Sequence, residues 1–419
     1  MKKITAMVFS VCFLLALSGC SAPKDIKIIQ ATDVHYLSQQ LTDNSPAFVE
    51  MIGEADGKLT HYIEPIVEAF MGEVVAEKPD FLILSGDLTF NGEKLSHLDF
   101  AQKLKKVSDA GIEVLVIPGN HDIDYPFSMG FEGEYTFPTD RISKDEYMQI
   151  YQDFGLSKAT SKDAETLSYF YKLSKKVQVL MLDVNTGKQF GSVSEGTLAW
   201  IESNLEAGKK AGMQTIAVSH QSVLRQSETL TDGYTIDNGE SLETLFKQYN
   251  VKLNLSGHIH IQHIADSEEK LFDIATESLA VYPCQYGVVN INTASGTIDY
   301  HTQKTKVSKW AQQNGIADEN LKNFDTYSLE FFTELSYNKA YNQLKDTGFP
   351  DEEKQKMAML FAQMNDYYFP GNLYEAVGEL KESEGYRLWQ KNAQGTRRLE
   401  YITSSLNEKR LDNTKITIS

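Results

Sequence analysis

The strongest constraint in this 419-residue chain is a pattern that occurs five times: a short apolar run followed at once by a sharp polar turn carrying Asp, Asn or His. Val114-Leu115-Val116-Ile117 runs into Pro118-Gly119-Asn120-His121-Asp122. Ile26-Lys27-Ile28-Ile29 leads to Asp33 and His35, and Phe81-Leu82-Ile83-Leu84 leads to Gly86-Asp87. Thr215-Ile216-Ala217-Val218 leads to His220, and Val251-Lys252-Leu253-Asn254-Leu255 leads to Gly257-His258-Ile259-His260. Such runs, bounded by Pro and Gly, read as buried strands ending in tight turns. Five of the nine histidines sit at these strand ends, and neutral imidazoles beside carboxylates are donors that divalent transition metals take.

Helical patterns separate the runs. Ile63, Ile66, Val67, Phe70, Met71, Val74 and Val75 recur at helical spacing over 62–77, and further helices are expected at 94–110, 144–154 and 195–211. Strand, helix and strand in alternation, with right-handed crossovers, give parallel strands whose carboxyl ends share one edge. Ligands of open α/β proteins bind at that edge. Asp33, Asp87 and Asn120 are therefore expected to meet there, with Gly86 allowing a close turn and the two oxygens of Asp87 able to span two cations. Strands are expected near 168–173 and 177–183, and the short strands within 271–302 suit a second sheet packed on the first.

Charge narrows the partners. The formal net charge of -18 argues against duplex nucleic acid, which is held mainly by Lys and Arg on phosphates, and leaves open a small phosphate ester bound through metal ions. At the amino end, Lys2 and Lys3 precede a mostly apolar run, Ile4 to Leu17, which is too short to span a bilayer. It ends in Leu17-Ser18-Gly19-Cys20, which resembles the lipobox of bacterial lipoproteins. That resemblance implies a signal peptide over 1–19, lipid on Cys20 and an extracytoplasmic protein anchored to the cell membrane. Cys284 would then be the one remaining thiol of the three cysteines, which excludes an internal disulfide.

Taken together, Asp33-x-His35, Gly86-Asp87, Gly119-Asn120-His121-Asp122, His220 and Gly257-His258-x-His260 resemble, in order and context, the calcineurin-like metallophosphoesterases, over roughly residues 25–302. The chain looks most like the class III cyclic nucleotide phosphodiesterases, in particular secreted lipoproteins with an extra helical C-terminal domain. The resemblance implies an α/β fold, a two-sheet sandwich flanked by helices. It further implies two metal ions (Mn, Fe or Zn), one held by Asp33, His35, Asp87 and His260, the other by Asp87, Asn120, His220 and His258. A hydroxide held between them would attack a phosphodiester, most readily in a cyclic nucleotide, while His121 stabilises the developing charge or protonates the leaving alkoxide. A phosphomonoesterase or nucleotidase with the same centre is the alternative enzyme, and a noncatalytic metal- or nucleotide-binding surface lipoprotein is the alternative from another class. One departure stands out. Many members have a second Asp three residues after the bridging one, supporting the catalytic histidine, where this chain has Phe90; Asp122 or Asp124 is expected to take over that duty.

The remainder is less informative. Residues 123–166 carry Tyr125, Phe127, Phe131, Tyr135 and Phe137, suited either to stacking on a nucleobase over the metal edge or to packing as a covering excursion. Arg225, in the polar loop 221–238, is a candidate phosphate contact. His263 is expected beside the ligands or on the surface, and His61, His97 and His301 are expected to be structural or exposed. Domain boundaries are expected at 1–19, 20–304 and 305–419, the last with helices over 317–344, 351–367, 372–392 and 395–409 that shape the rim of the site or dock against the sandwich.

Overall fold

The computed structural model describes residues 25–54 and 57–419; the signal segment 1–19 and Cys20 lie outside them. Two mixed sheets face each other. The first runs, in spatial order, Lys415–Ile418, Ile298–Lys304, Gln285–Ile291, Ile26–Ala31, Phe81–Ser85 and Glu113–Ile117. Its last three strands are parallel and the others antiparallel. The second runs His263–Ser267, Leu271–Ala275, Leu253–Ser256, Gln214–Ser219, Val177–Leu182, Tyr169–Lys172 and Ser161–Lys162, with a parallel centre and antiparallel edges.

Alternation along each strand sorts side chains into layers. Ile28, Ile83, Leu115 and Ile117 meet Val179, Met181, Ile216, Val218 and Leu255 between the sheets. Their neighbours Ile29, Ala31, Leu82, Leu84, Val114 and Val116 face outward, onto Ile66, Val67, Phe70, Val74, Phe100 and Leu104 of helices Ile63–Glu77 and Lys94–Asp109. On the other side Leu180, Leu182 and Ala217 pack against Ile201, Leu205 and Phe246 of helices Glu195–Lys210 and Gly239–Gln248. The strands are buried on both faces, which is why they read as nearly continuous apolar runs.

Helices dominate from Val307 to Leu406. Phe324–Leu344 and Asp351–Tyr368 pack side by side, and Val377–Glu382, Glu384–Asn392 and Arg397–Leu406 complete the group around Met357, Phe361, Met364 and Trp389. Ser383 breaks the run expected over 372–392: it is extended, and its hydroxyl accepts from the Tyr386 amide as the N-cap of the next helix. The chain does not stay helical to residue 419. Lys415–Ile418 returns to the first sheet beside Ile298–Lys304, and Ile418 is buried between the sheets. Asn413 fixes this return, its side chain accepting from the Ile264 amide and its carbonyl from Gln262. Among the described residues no helix is long and apolar enough to cross a membrane.

Candidate metal centre

All five ligand-bearing turns emerge at one end of the sandwich, where the parallel strands finish. Backbone conformation there is unusual. Asp33, His35, Asp87, His258 and His260 all have positive φ, from 46° to 68°, a region that costs non-glycine residues energy and persists where surrounding structure fixes it. The turns aim side chains from neighbouring strands at one point. Gly86, at φ 98°, also clears space: a Cβ there would lie 2.5 Å from the His220 ring. Gly119 does the same for the Asp87 carboxylate, which a Cβ would overlap.

Two clusters result, Asp33 with His35 and His260, and Asp87 with His220 and His258. In the first, His260 Nε2 lies 3.2 Å from Asp33 Oδ1 and 3.1 Å from His35 Nε2. Asp33 Oδ2 accepts from the His258 amide and the Thr32 hydroxyl, whereas buried Oδ1 has no hydrogen-bond partner. In the second, His220 Nε2 is 3.3 Å from Asp87 Oδ2 and 3.1 Å from Asn120 Oδ1. Asp87 Oδ1 is engaged by the His121 amide at 2.8 Å. Its Oδ2 is left between the clusters, 3.3 Å from His220 and 3.8 Å from His35.

The donor atoms fit metal ions. His220 donates Nδ1–H to the Ser85 carbonyl at 2.9 Å, and His258 donates Nε2–H to the Gly233 carbonyl at 2.9 Å. Each neutral ring therefore keeps a lone pair on its other nitrogen, the arrangement that orients metal-binding imidazoles. His220 Nε2 then faces the Asn120 carbonyl oxygen at 3.1 Å, two electron-rich atoms that a proton or a metal ion must join. Donors roughly 2.0–2.2 Å from a shared ion stand about 3–4 Å apart, as these do. Electrostatics agree. Burial works against charge on Asp33, yet the nearby His260 and His220 hold its carboxyl well below the usual range. Burial likewise presses His220 down, and Asp87 and Asp33 overcome it, lifting the ring to about 9. The constellation collects positive charge.

His121 stands beside the second cluster, its Nε2 4.0 Å from Asp87 Oδ2. Neither Asp122 nor Asp124 supports it, contrary to the expectation from sequence. Asp122 turns away into the fold, where its carboxylate accepts from the amides of Leu88, Thr89 and Gly119 and from the Thr89 hydroxyl. Asp124 is exposed. The partner is Asn91, whose Oδ1 accepts from His121 Nδ1 at 2.9 Å. Tyr125 stacks on the imidazole, 4.5 Å between centroids at 25°. The sequence block Gly86 to Glu93 contains Asn91, but an Asn in a turn carries no distinguishing signal.

The aromatic excursion divides. Phe131, in the hairpin Met129–Glu132 and Tyr135–Pro138, packs on Phe48, and Tyr125 covers His121. Phe127 and Tyr135 are 62% and 77% exposed and lie outside the cleft described next. His97 is structural, buried between the Asp122 carbonyl and Tyr151. His263 lies outside both clusters, against Gln226 and Glu408, and His61 bonds Tyr327 of the helical region.

A cleft of about 1070 Å³ opens over the metal edge. Asp87, His121, His258 and His260 form its floor, residues 229–232 and Tyr234 one side, and helices Phe324–Leu344 and Arg397–Leu406 the far wall. Ile259 and Ile261, flanking His260, pack directly into the helical core. Arg225 is exposed and does not line this cleft; its cationic side chains are Lys339, Arg397 and Arg398.

A family model described as calcineurin-like phosphoesterase matches residues 26–262, and one described as the C-terminal domain of cyclic nucleotide phosphodiesterase matches residues 306–412. A probable cyclic nucleotide phosphodiesterase of Ruthia magnifica subsp. Calyptogena magnifica is 24% identical over 225 residues, covering 54% of this chain and 79% of the relative. A probable glycerophosphodiester phosphodiesterase GpdQ of Arcobacter nitrofigilis is 26% identical over 187 residues, covering 44% and 57%. Among solved structures, a dimetal phosphatase from Danio rerio aligns with TM-score 0.48 and 12% identity, over 67% of this chain and 96% of that one.

Proposed function

The chain belongs to the calcineurin-like phosphoesterase family, and from that premise we propose that this metal-dependent phosphoesterase hydrolyses phosphodiester bonds, those of cyclic nucleotides foremost. The carrying observation is the convergence of two His/Asp clusters around Asp87 Oδ2. In this reading Asp33, His35, Asp87 and His260 hold one ion, and Asp87, Asn120, His220 and His258 the other. When bound, such a pair supplies Lewis acidity and a water of lowered pKa. The chain's own groups do the rest. Asp87 sets the spacing of the clusters. His121, with Nδ1–H committed to Asn91, offers Nε2 to the cleft; in its doubly protonated form the ring can steady negative charge on the phosphoryl oxygens or pass the Nε2 proton to the departing alkoxide.

Support for a diester over a monoester comes from the description of the C-terminal family and from the names of the two relatives. The test is turnover of bis(p-nitrophenyl) phosphate against p-nitrophenyl phosphate with added Mn²⁺, followed by 2′,3′- and 3′,5′-cyclic nucleotides. A wide preference for the monoester would overturn the reading. The apolar run ending at Cys20 supports lipid anchoring outside the cytoplasm; labelling with a radioactive fatty acid that persists in Cys20→Ala would overturn that part.

A further inference from the structure

The far wall of the cleft carries a charge arrangement that the metal edge does not explain. Arg398 is only partly exposed; its guanidinium lies 4.3 Å over the ring of Phe361 and donates to Gln343 Oε1. These contacts hold the planar fork in one orientation and leave donors uncommitted. Arg397 is adjacent and exposed, and both line the cleft, as does Lys339. Neither arginine has a carboxylate within 4.0 Å among the described residues, in a chain with 58 acids against 40 Lys and Arg. Removing a guanidinium even partly from water without a counter-charge is costly, and the Phe361 face offsets only part of it. Among the described residues the acids that share the cleft are Glu54, Asp232 and Asp87. Space points the same way: about 1070 Å³ is just above the roughly 300–1,000 Å³ that encloses a small ligand, more than one cyclic mononucleotide on the metal edge would fill.

We propose that Arg397 and Arg398 form a second phosphate subsite, so that the preferred substrate is a nucleotide phosphodiester bearing another phosphate, the reacting phosphorus on the metal edge and the other on the helical wall. This rests on the diesterase reading of the metal edge. It assigns the helical region a part in choosing the substrate, through charge-assisted bonds to an anion rather than through the chemistry.

Two measurements on the full chain separate the subsite from that reading. By calorimetry, adenosine 3′,5′-bisphosphate is expected to bind at least about tenfold more tightly than AMP, the effect of one or more charge-assisted bonds, and Arg397→Gln and Arg398→Gln are each expected to shrink the gap. By turnover, pApA is expected to exceed ApA in kcat/KM, through KM, with the same loss in the variants, while bis(p-nitrophenyl) phosphate is cleaved as before. Equal binding of the bisphosphate and AMP overturns the subsite whether or not any diester is hydrolysed. So does a gap that both variants leave intact, or a folded variant that loses bis(p-nitrophenyl) phosphate turnover. If Arg398→Gln fails to fold without its Phe361 contact, exposed Arg397 decides. Failure of the wild type on every diester sinks the diesterase reading alone, because the binding comparison still reports on the wall.

Discussion

Asn91 Oδ1 accepts a hydrogen bond from His121 Nδ1 at 2.9 Å, one residue beyond Phe90, where many relatives of the resemblance place an acid. A neutral amide orients the imidazole and fixes its tautomer without adding charge to a site already holding Asp33 and Asp87. Replacing Asn91 with Leu is expected to lower kcat about tenfold or more with little change in KM, and His121→Ala to lower it by about 10²–10⁴. Steady-state kinetics on bis(p-nitrophenyl) phosphate check both; an Asn91→Leu enzyme with unchanged kcat would separate the bond from the chemistry.

Metal should also hold the fold together. Asp33 Oδ1 is buried without a partner, and Asp33, His35 and His260 converge as do Asp87, His220 and His258, an unmet demand that a cation satisfies. Chelation is expected to lower the melting temperature and added Mn²⁺ to restore it, since a ligand at 1,000 times its Kd stabilises by about 4 kcal/mol. Asp87→Asn should lose most of this difference together with most activity. A melting curve indifferent to chelator would contradict it.

Glu93 gives a pH dependence away from the ligands. Burial raises its carboxyl to about 7, from an ordinary 4.5, and outweighs the hydrogen bonds that favour its charged form, the Asn91 amide to Oε2 first among them. Because the folded value lies above the unfolded one, its favourable contribution is complete below about pH 4.5 and is lost as pH rises through about 7. Glu93→Gln, which keeps the acceptor and cannot ionise, is expected to match wild type at pH 4 and exceed it at pH 8 by on the order of 2–3 kcal/mol. Urea denaturation at the two pH values decides the sign.

The returning strand makes a third stability test. Truncation after residue 412 removes Asn413, which ties Gln262 and Ile264 to the C-terminal segment, and Ile418, buried between the sheets. Losing one buried aliphatic side chain and these bonds is expected to cost about 3 kcal/mol or more. A truncated chain with an unchanged urea midpoint would contradict the packing.

The expected ligand set could be read in the chain because scarce residue types recur after apolar runs, and the carboxyl ends of parallel strands must share an edge. That regularity gathers the strand-end residues at one edge, the family resemblance picks Asp33, His35, Asp87, Asn120, His220, His258 and His260 among them, and the structure brings all seven together. Asn91 did not follow. One polar residue in a turn looks like any other, and it meets His121 only because the Asp122 carboxylate ties the turns after Phe81–Ser85 and Glu113–Ile117 together. Arg225, singled out for its position in a polar loop, lies exposed outside the cleft, while the arginines lining it come from a helix more than 170 residues later.

By itself, then, the sequence determined the layers of the sandwich and which side chains stand at its metal edge, since strand periodicity and crossover handedness are local rules that propagate along a chain. Tertiary structure alone decided what orients His121, which cations face the cleft, and that residues after the helices rejoin the first sheet. Those outcomes depend on how separate surfaces settle against each other, and no periodicity in a single segment encodes the surface it will meet.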